Sequence, residues 1–185
     1  MSYLYPLVAL AGGLGVLNLI FTFGVVRRLR EHTDLLSQRN RTQGAGPKVM
    51  LDAGETVGAF DAVTVEGTAL SQTDLATGTT LVGVFAYGCS SCDERLPAFL
   101  ELARAFPGGK EQVFAVIVGD AENVAEKRDK LIPVARVVTE EYGGAVTAAL
   151  AVKGYPAFAL LNSDGAVTAA GTLVEDLNLA PAGAA

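Results

Sequence analysis

The feature that most constrains the fold is the stretch around Cys89 and Cys92, the only two cysteines in the chain, spaced Cys-x-x-Cys. An apolar run over residues 81–86 leads into it. A helical pattern leaves it: Leu96, Phe99, Leu100, Ala103 and Phe106 recur at i, i+3, i+4 spacing and share one face. A buried strand therefore gives way to the first turn of a helix at Cys89. Unpaired backbone N–H groups and the positive end of the helix dipole at such a place favour a thiolate over a thiol. The thiolate is the form that attacks disulfides, and a second cysteine one turn on can resolve the mixed disulfide. Cys89 is the candidate nucleophile and Cys92 the candidate resolving thiol. Two plainer readings compete. Zinc wants about four ligands, but there is no third cysteine, and the single histidine, His32, lies far upstream. An inert staple is the other, yet a loop closed over two intervening residues constrains the unfolded chain little. The spacing favours a redox-active pair, so the expectation is no metal and no cofactor beyond the dithiol–disulfide couple itself.

Residues 4–26 are almost continuously apolar and carry no charge, broken only by Pro6, several glycines, Asn18 and Thr22. As a helix they span roughly 34 Å at about 1.5 Å per residue, enough to cross a ~30 Å hydrocarbon core. A cleaved signal peptide predicts a basic segment first, a shorter apolar core and a small-residue cleavage site. Here no basic residue precedes the run, and Arg27, Arg28 and Arg30 follow it directly. Residues 1–26 are thus expected to be an uncleaved, single-pass transmembrane anchor. With Arg39 and Arg41, the basic residues all fall after the span, which by the positive-inside rule places the rest of the chain in the cytoplasm. Residues 27–48 read as a basic juxtamembrane helix followed by a Gly/Pro linker, with His32 an ordinary surface residue. The net charge of −6 argues against a nucleic-acid partner.

A soluble domain is expected over residues 49–175. A hairpin forms from strands at 62–65 and 68–70 around Glu66-Gly67. A helical turn over 71–76 follows, capped by Ser71 with Asp74 three residues on. Then come a strand at 79–86, the motif helix to Phe106, and a strand at 113–118. A charged helix at 122–131, a short strand at 134–138 and an alanine-rich helix at 140–151, interrupted by Gly143-Gly144, complete the middle. Strands at 157–161 and 166–170 close the domain around a turn at 162–165. The tail, 176–185, has nothing to bury from Ala180 onward. All-apolar runs such as 113–118 fit strands covered on both faces, and this alternation predicts an α/β sandwich with a mixed central sheet flanked by helices.

The chain resembles the thioredoxin superfamily, and more narrowly the membrane-anchored TlpA/ResA-like thiol–disulfide oxidoreductases. The residues that carry the resemblance are Gly54, Phe60 and Gly67 near the start of the domain, and Phe85, Cys89, Cys92 and Pro97 in the motif. Gly119-Asp120, then Val152-Lys153-Gly154-Tyr155-Pro156, and last Asp164-Gly165 follow in order. The resemblance implies that Pro156 is a cis-proline beside the cysteines, shaping a substrate groove with Tyr155. It implies a domain facing away from the cytoplasm, opposite to the charge rule. Pro97 is expected to kink the motif helix, because it removes a donor and crowds the preceding turn.

The chain departs from the family pattern at several points. Gly88, with Tyr87 before it, stands where the family has Trp, which opens the lip of the site. Ser90 and Ser91 lie between the cysteines, where their hydroxyls can serve a thiolate. Asp93-Glu94 follows Cys92 where a base is usual, and acids there disfavour a nearby thiolate. Gly83 occupies the position of the buried Asp of thioredoxins proper. The function expected is a membrane-tethered disulfide reductase, with a protein or small-molecule disulfide as substrate and an upstream thiol as electron donor. A peroxiredoxin-like peroxidase would carry Pro and Thr ahead of the cysteine, where Val82 and Ala86 stand. A non-catalytic thioredoxin-fold binding module would have no need of intact cysteines. A copper-handling module lacks its histidine in the soluble domain.

Overall fold

A computed structural model describes residues 48–179. The expected anchor, the juxtamembrane segment and the tail from Ala180 lie outside the described residues. Among those described, no helix is long and apolar enough to cross a membrane.

Two short strands, β1 (Asp61–Val63) and β2 (Ala69–Ser71), pair antiparallel as the expected hairpin. A 3₁₀ turn, Gln72–Leu75, follows. The Asp74 carboxylate accepts from the Ser71 N–H at 2.7 Å and from its hydroxyl at 2.8 Å. The main sheet has five strands: β3 (Thr80–Ala86), β4 (Val113–Val118), β5 (Arg136–Glu140), β6 (Ala157–Leu161) and β7 (Val167–Gly171). Their order is β5-β4-β3-β6-β7; β3, β4 and β5 run parallel, β6 pairs antiparallel to β3, and β7 pairs antiparallel to β6.

β3, β4 and β6 are buried along their whole lengths. Successive side chains alternate between faces. Val82, Val84 and Ala86 of β3 join Phe114, Val116 and Val118 of β4 in one core, under Phe60, Leu75 and Leu150. Leu81 and Phe85 join Ala115 and Ile117 in the other. That second core is covered by α1 (Ser90–Ala105), through Leu96, Phe99 and Leu100, and by Leu131 of α2 (Ala125–Leu131). α3 (Ala145–Ala149) lies over the first core through Val146.

Besides shifts of one or two residues in the hairpin, β3, the motif helix and β7, three boundaries differ from the sequence reading. β5 starts at Arg136 rather than Val134, because the Val134 and Ala135 N–H groups still donate to the Leu131 carbonyl at 3.0 and 2.9 Å. α2 starts three residues later than its charge pattern suggests, since Asn123 and Val124 turn back onto the Asp120 carbonyl. α3 is only the core of the alanine-rich stretch: Glu140 ends β5, and its carboxylate accepts from the N–H groups of Val146 and Thr147 at 3.0 and 2.8 Å. The packed chain also continues past residue 175, into a 3₁₀ turn, Val174–Leu177, whose Leu177 is buried in the second core.

Candidate active site

The parallel strands β3 and β4 end at one edge of the sheet, and the chain leaves β3 there through a sharp corner. The Tyr87 N–H still donates to the Val118 carbonyl at 2.8 Å, so pairing runs one residue past Ala86. Gly88 then takes φ +69°, and Cys89 caps α1 with extended dihedrals. A left-handed residue between a strand and a helix cap favours glycine. The backbone geometry at this corner suits Gly88. The space beside it is open: nothing lies within 4 Å of where a Cβ would sit.

Cys89 and Cys92 are joined in a disulfide. The Cys92 N–H donates to Cys89 Sγ at 3.1 Å, and the N–H groups of Cys92 and Asp93 also reach the Cys89 carbonyl. Cys89 is half-buried, whereas Cys92 is fully enclosed. The two cysteines are thus unequal: Cys89 is partly open to solvent at a helix N-terminus, whereas Cys92 is enclosed in the core. Ser90 is exposed and Ser91 half-buried.

β6 runs antiparallel to β3, with Ala157 opposite Val84. The preceding Tyr155-Pro156 therefore lies alongside the end of β3. Their peptide bond is cis, and Pro156 is buried. Burial, and after it Tyr142 and Glu140, push the Tyr155 phenol above its ordinary pKa.

Pro97 sits inside α1 on the exposed side, and the helix continues past it to Ala105. With Tyr87, Gly88, Leu96, Leu100 and Lys127 it lines a groove between α1 and α2 that reaches the Gly88 corner. Asp93, which directly follows Cys92, is not left as a free acid. The Lys127 ammonium of α2, itself largely covered, pairs with it. The adverse charge expected from the sequence is therefore offset by a base from another element.

Gly83 is filled from outside. A Cβ there would stand 2.6 Å from two ring atoms of Phe99. That ring packs edge-on to Phe85 at 5.3 Å and stacks on Phe158 at 5.5 Å. No carboxylate can occupy this place while Phe99 holds it.

Like Lys127, a second residue of the site escaped the sequence reading. Tyr142, in the loop between β5 and α3, donates its hydroxyl to the Tyr87 carbonyl at 3.3 Å. Its ring meets Tyr155 edge-to-face at 6.2 Å. Its only local signal is an aromatic residue next to Gly143-Gly144 in a turn, which does not reveal a partner 55 residues away.

A family model described as Redoxin matches residues 52–184. No curated protein matches the chain. Among solved structures, the thioredoxin domain of a thiol-disulfide oxidoreductase from Bacteroides vulgatus superposes with a TM-score of 0.56 at 20% identity, covering 69% of this chain and 93% of that one. A thiol:disulfide interchange protein from a Bacteroides species gives 0.54 at 20% identity, over 72% and 95% of the two chains. A secreted disulfide oxidoreductase from Mycobacterium tuberculosis gives 0.50 at 21% identity, over 61% and 82%.

Proposed function

The chain belongs to the Redoxin family and is an oxidoreductase with a thioredoxin-like fold, and from that premise we propose that it is a membrane-tethered disulfide reductase of the TlpA/ResA-like kind, working through Cys89 and Cys92. The observation that carries the reading is the inequality of the two cysteines: Cys89, half-buried at the cap of α1, is bonded to a Cys92 that solvent cannot reach.

The cycle starts from the dithiol. The Cys89 thiolate attacks one sulfur of the substrate disulfide, forming a mixed disulfide and releasing the other substrate sulfur as a thiolate, which takes up a proton. The Cys92 thiol gives up its proton, and its sulfur attacks Cys89 Sγ, expelling the second substrate thiolate. The substrate has then gained two electrons and two protons, and the enzyme is left as the disulfide seen here. An upstream thiol donor returns the two electrons. At the cap of α1 the Cys92 N–H and the helix dipole stabilise negative charge on Cys89 Sγ. Tyr155 and Pro156 form the opposite wall of the substrate groove. The anchor over residues 4–26 concentrates the site near membrane-associated substrates.

The test uses insulin as a disulfide substrate with dithiothreitol as reductant. Cys89→Ser abolishes turnover, and Cys92→Ser, reduced and freed of dithiothreitol before insulin is added, accumulates a mixed disulfide that renewed dithiothreitol resolves. Wild-type rates in both variants sink the mechanism.

A further inference from the structure

Tyr142 is 64% exposed, yet it is not a loose surface side chain. Its hydroxyl is fixed on the Tyr87 carbonyl and its ring edge on Tyr155. Tyr87 belongs to the corner that delivers Cys89, and Tyr155 precedes the cis-proline. Tyr142 thus bridges the two walls of the site while leaving a ring surface open to solvent. A notch lined by Tyr87, Gly119, Asp120, Glu141 and Tyr142 opens beside it. A large aromatic surface already held in place loses little conformational freedom when a partner covers it, and aromatic side chains of this kind dominate protein contacts.

We propose that Tyr142 is a specificity-determining residue: its ring is the surface against which the polypeptide flanking a substrate disulfide is laid, so the site favours protein disulfides over small ones. The inference rests on the dithiol mechanism above and names the substrate class for it. A small disulfide reaches Cys89 without covering Tyr142, whereas a polypeptide entering between Tyr87 and Tyr155 must cross it. The hydroxyl positions the ring; the ring makes the contact.

The experiment compares the full chain, in mild detergent, with Tyr142→Ala and Tyr142→Phe on insulin and on hydroxyethyl disulfide. Tyr142→Ala should raise KM for insulin by about tenfold, the effect of losing one well-placed aromatic contact, and that rise should exceed any change on hydroxyethyl disulfide by at least about fivefold. Tyr142→Phe, which keeps the ring, should stay within about twofold of wild type on both. Equal loss on both substrates in Tyr142→Ala would mean that the residue only shapes the corner, and an unchanged insulin KM that it does not meet substrate; either result overturns the inference while the mechanism stands. Failure of the wild-type chain to reduce either disulfide overturns the mechanism and the inference together.

Discussion

At Gly88 the backbone decides the residue. Its φ of +69° costs an L-side chain about 1–2 kcal/mol, although the space beside it is empty. Gly88→Trp should therefore fold, lose about that much stability, and cover part of the lip. The natural chain has no tryptophan, so the variant brings its own fluorescent reporter. The expected outcome is a changed ratio of insulin to hydroxyethyl-disulfide rates, with the indole emission shifting when Cys89 is occupied; an unchanged ratio would refute the open lip. Gly83 is the reverse case, limited by space rather than by dihedral. Gly83→Ala drives a methyl into the Phe99 ring, an overpacking that costs about 1–3 kcal/mol. Thermal unfolding of the oxidised protein should show the loss, and Phe99→Leu should restore part of it in the double variant. If the single substitution leaves the melting temperature where it was, Phe99 is free to move aside.

Between elements, charge pairs and caps carry the connections. Lys127 reaches from α2 to Asp93 in the first turn of α1. Removing it with Lys127→Ala leaves a bare carboxylate one residue past Cys92, which disfavours a thiolate at the same helix end. Reduced Cys89 should then alkylate more slowly with iodoacetamide at neutral pH, most clearly at low salt. Asp93→Ala should speed it, and identical rates in all three proteins would show that the pair does not reach the sulfur. Asp74 supports the turn after β2. The Ser71 hydroxyl, and after it the Ser71 N–H, hold its carboxyl below the ordinary carboxylate range. A carboxyl depressed in the folded state stabilises above its unfolded pKa of about 4 and loses that contribution as pH falls through the folded value. Asp74→Ala should thus cost about 1 kcal/mol or less at pH 7 in this solvent-screened place. The gap to wild type should close on acidification below about pH 4 in urea unfolding, and a gap constant with pH would assign the effect to packing. The elements legible in the sequence were those whose signal is local. β3, β4 and β6 announce themselves as unbroken apolar runs because both faces are buried, and the Ser71–Asp74 cap because its partners are three residues apart. β5 and α3 were misplaced where a distant or cross-element bond sets the limit: the turn held at Leu131, and Glu140 capping a helix from a strand. The cysteine pair was legible for the same local reason, whereas Tyr142 and Lys127 join the site only through the tertiary fold.

For the membrane-tethered molecule proposed above, two arguments about the side of the membrane oppose each other. The basic residues Arg27, Arg28, Arg30, Arg39 and Arg41 all follow the apolar segment, and such residues are retained on the cytoplasmic side. The resemblance to TlpA/ResA-like proteins implies the other side. The two differ in consequence as well as in place, because the direction of exchange is set by the couple's potential against its compartment. A dithiol facing the cytoplasm would draw on the thioredoxin or glutathione pool directly, whereas one facing outward needs electrons carried across the membrane. Cys89 and Cys92 are the only thiols in the chain, and Cys89 is the one solvent can meet, so a membrane-impermeant maleimide reports on a single site. Intact cells treated with a permeant reductant and washed should leave Cys89 unlabelled until the membrane is permeabilised, as the charge rule requires. Labelling before permeabilisation would reverse the assignment, override the arginine pattern and place the site among envelope disulfides. A Cys89→Ser chain, unlabelled in either case, shows that the signal comes from this thiol and not from the enclosed Cys92.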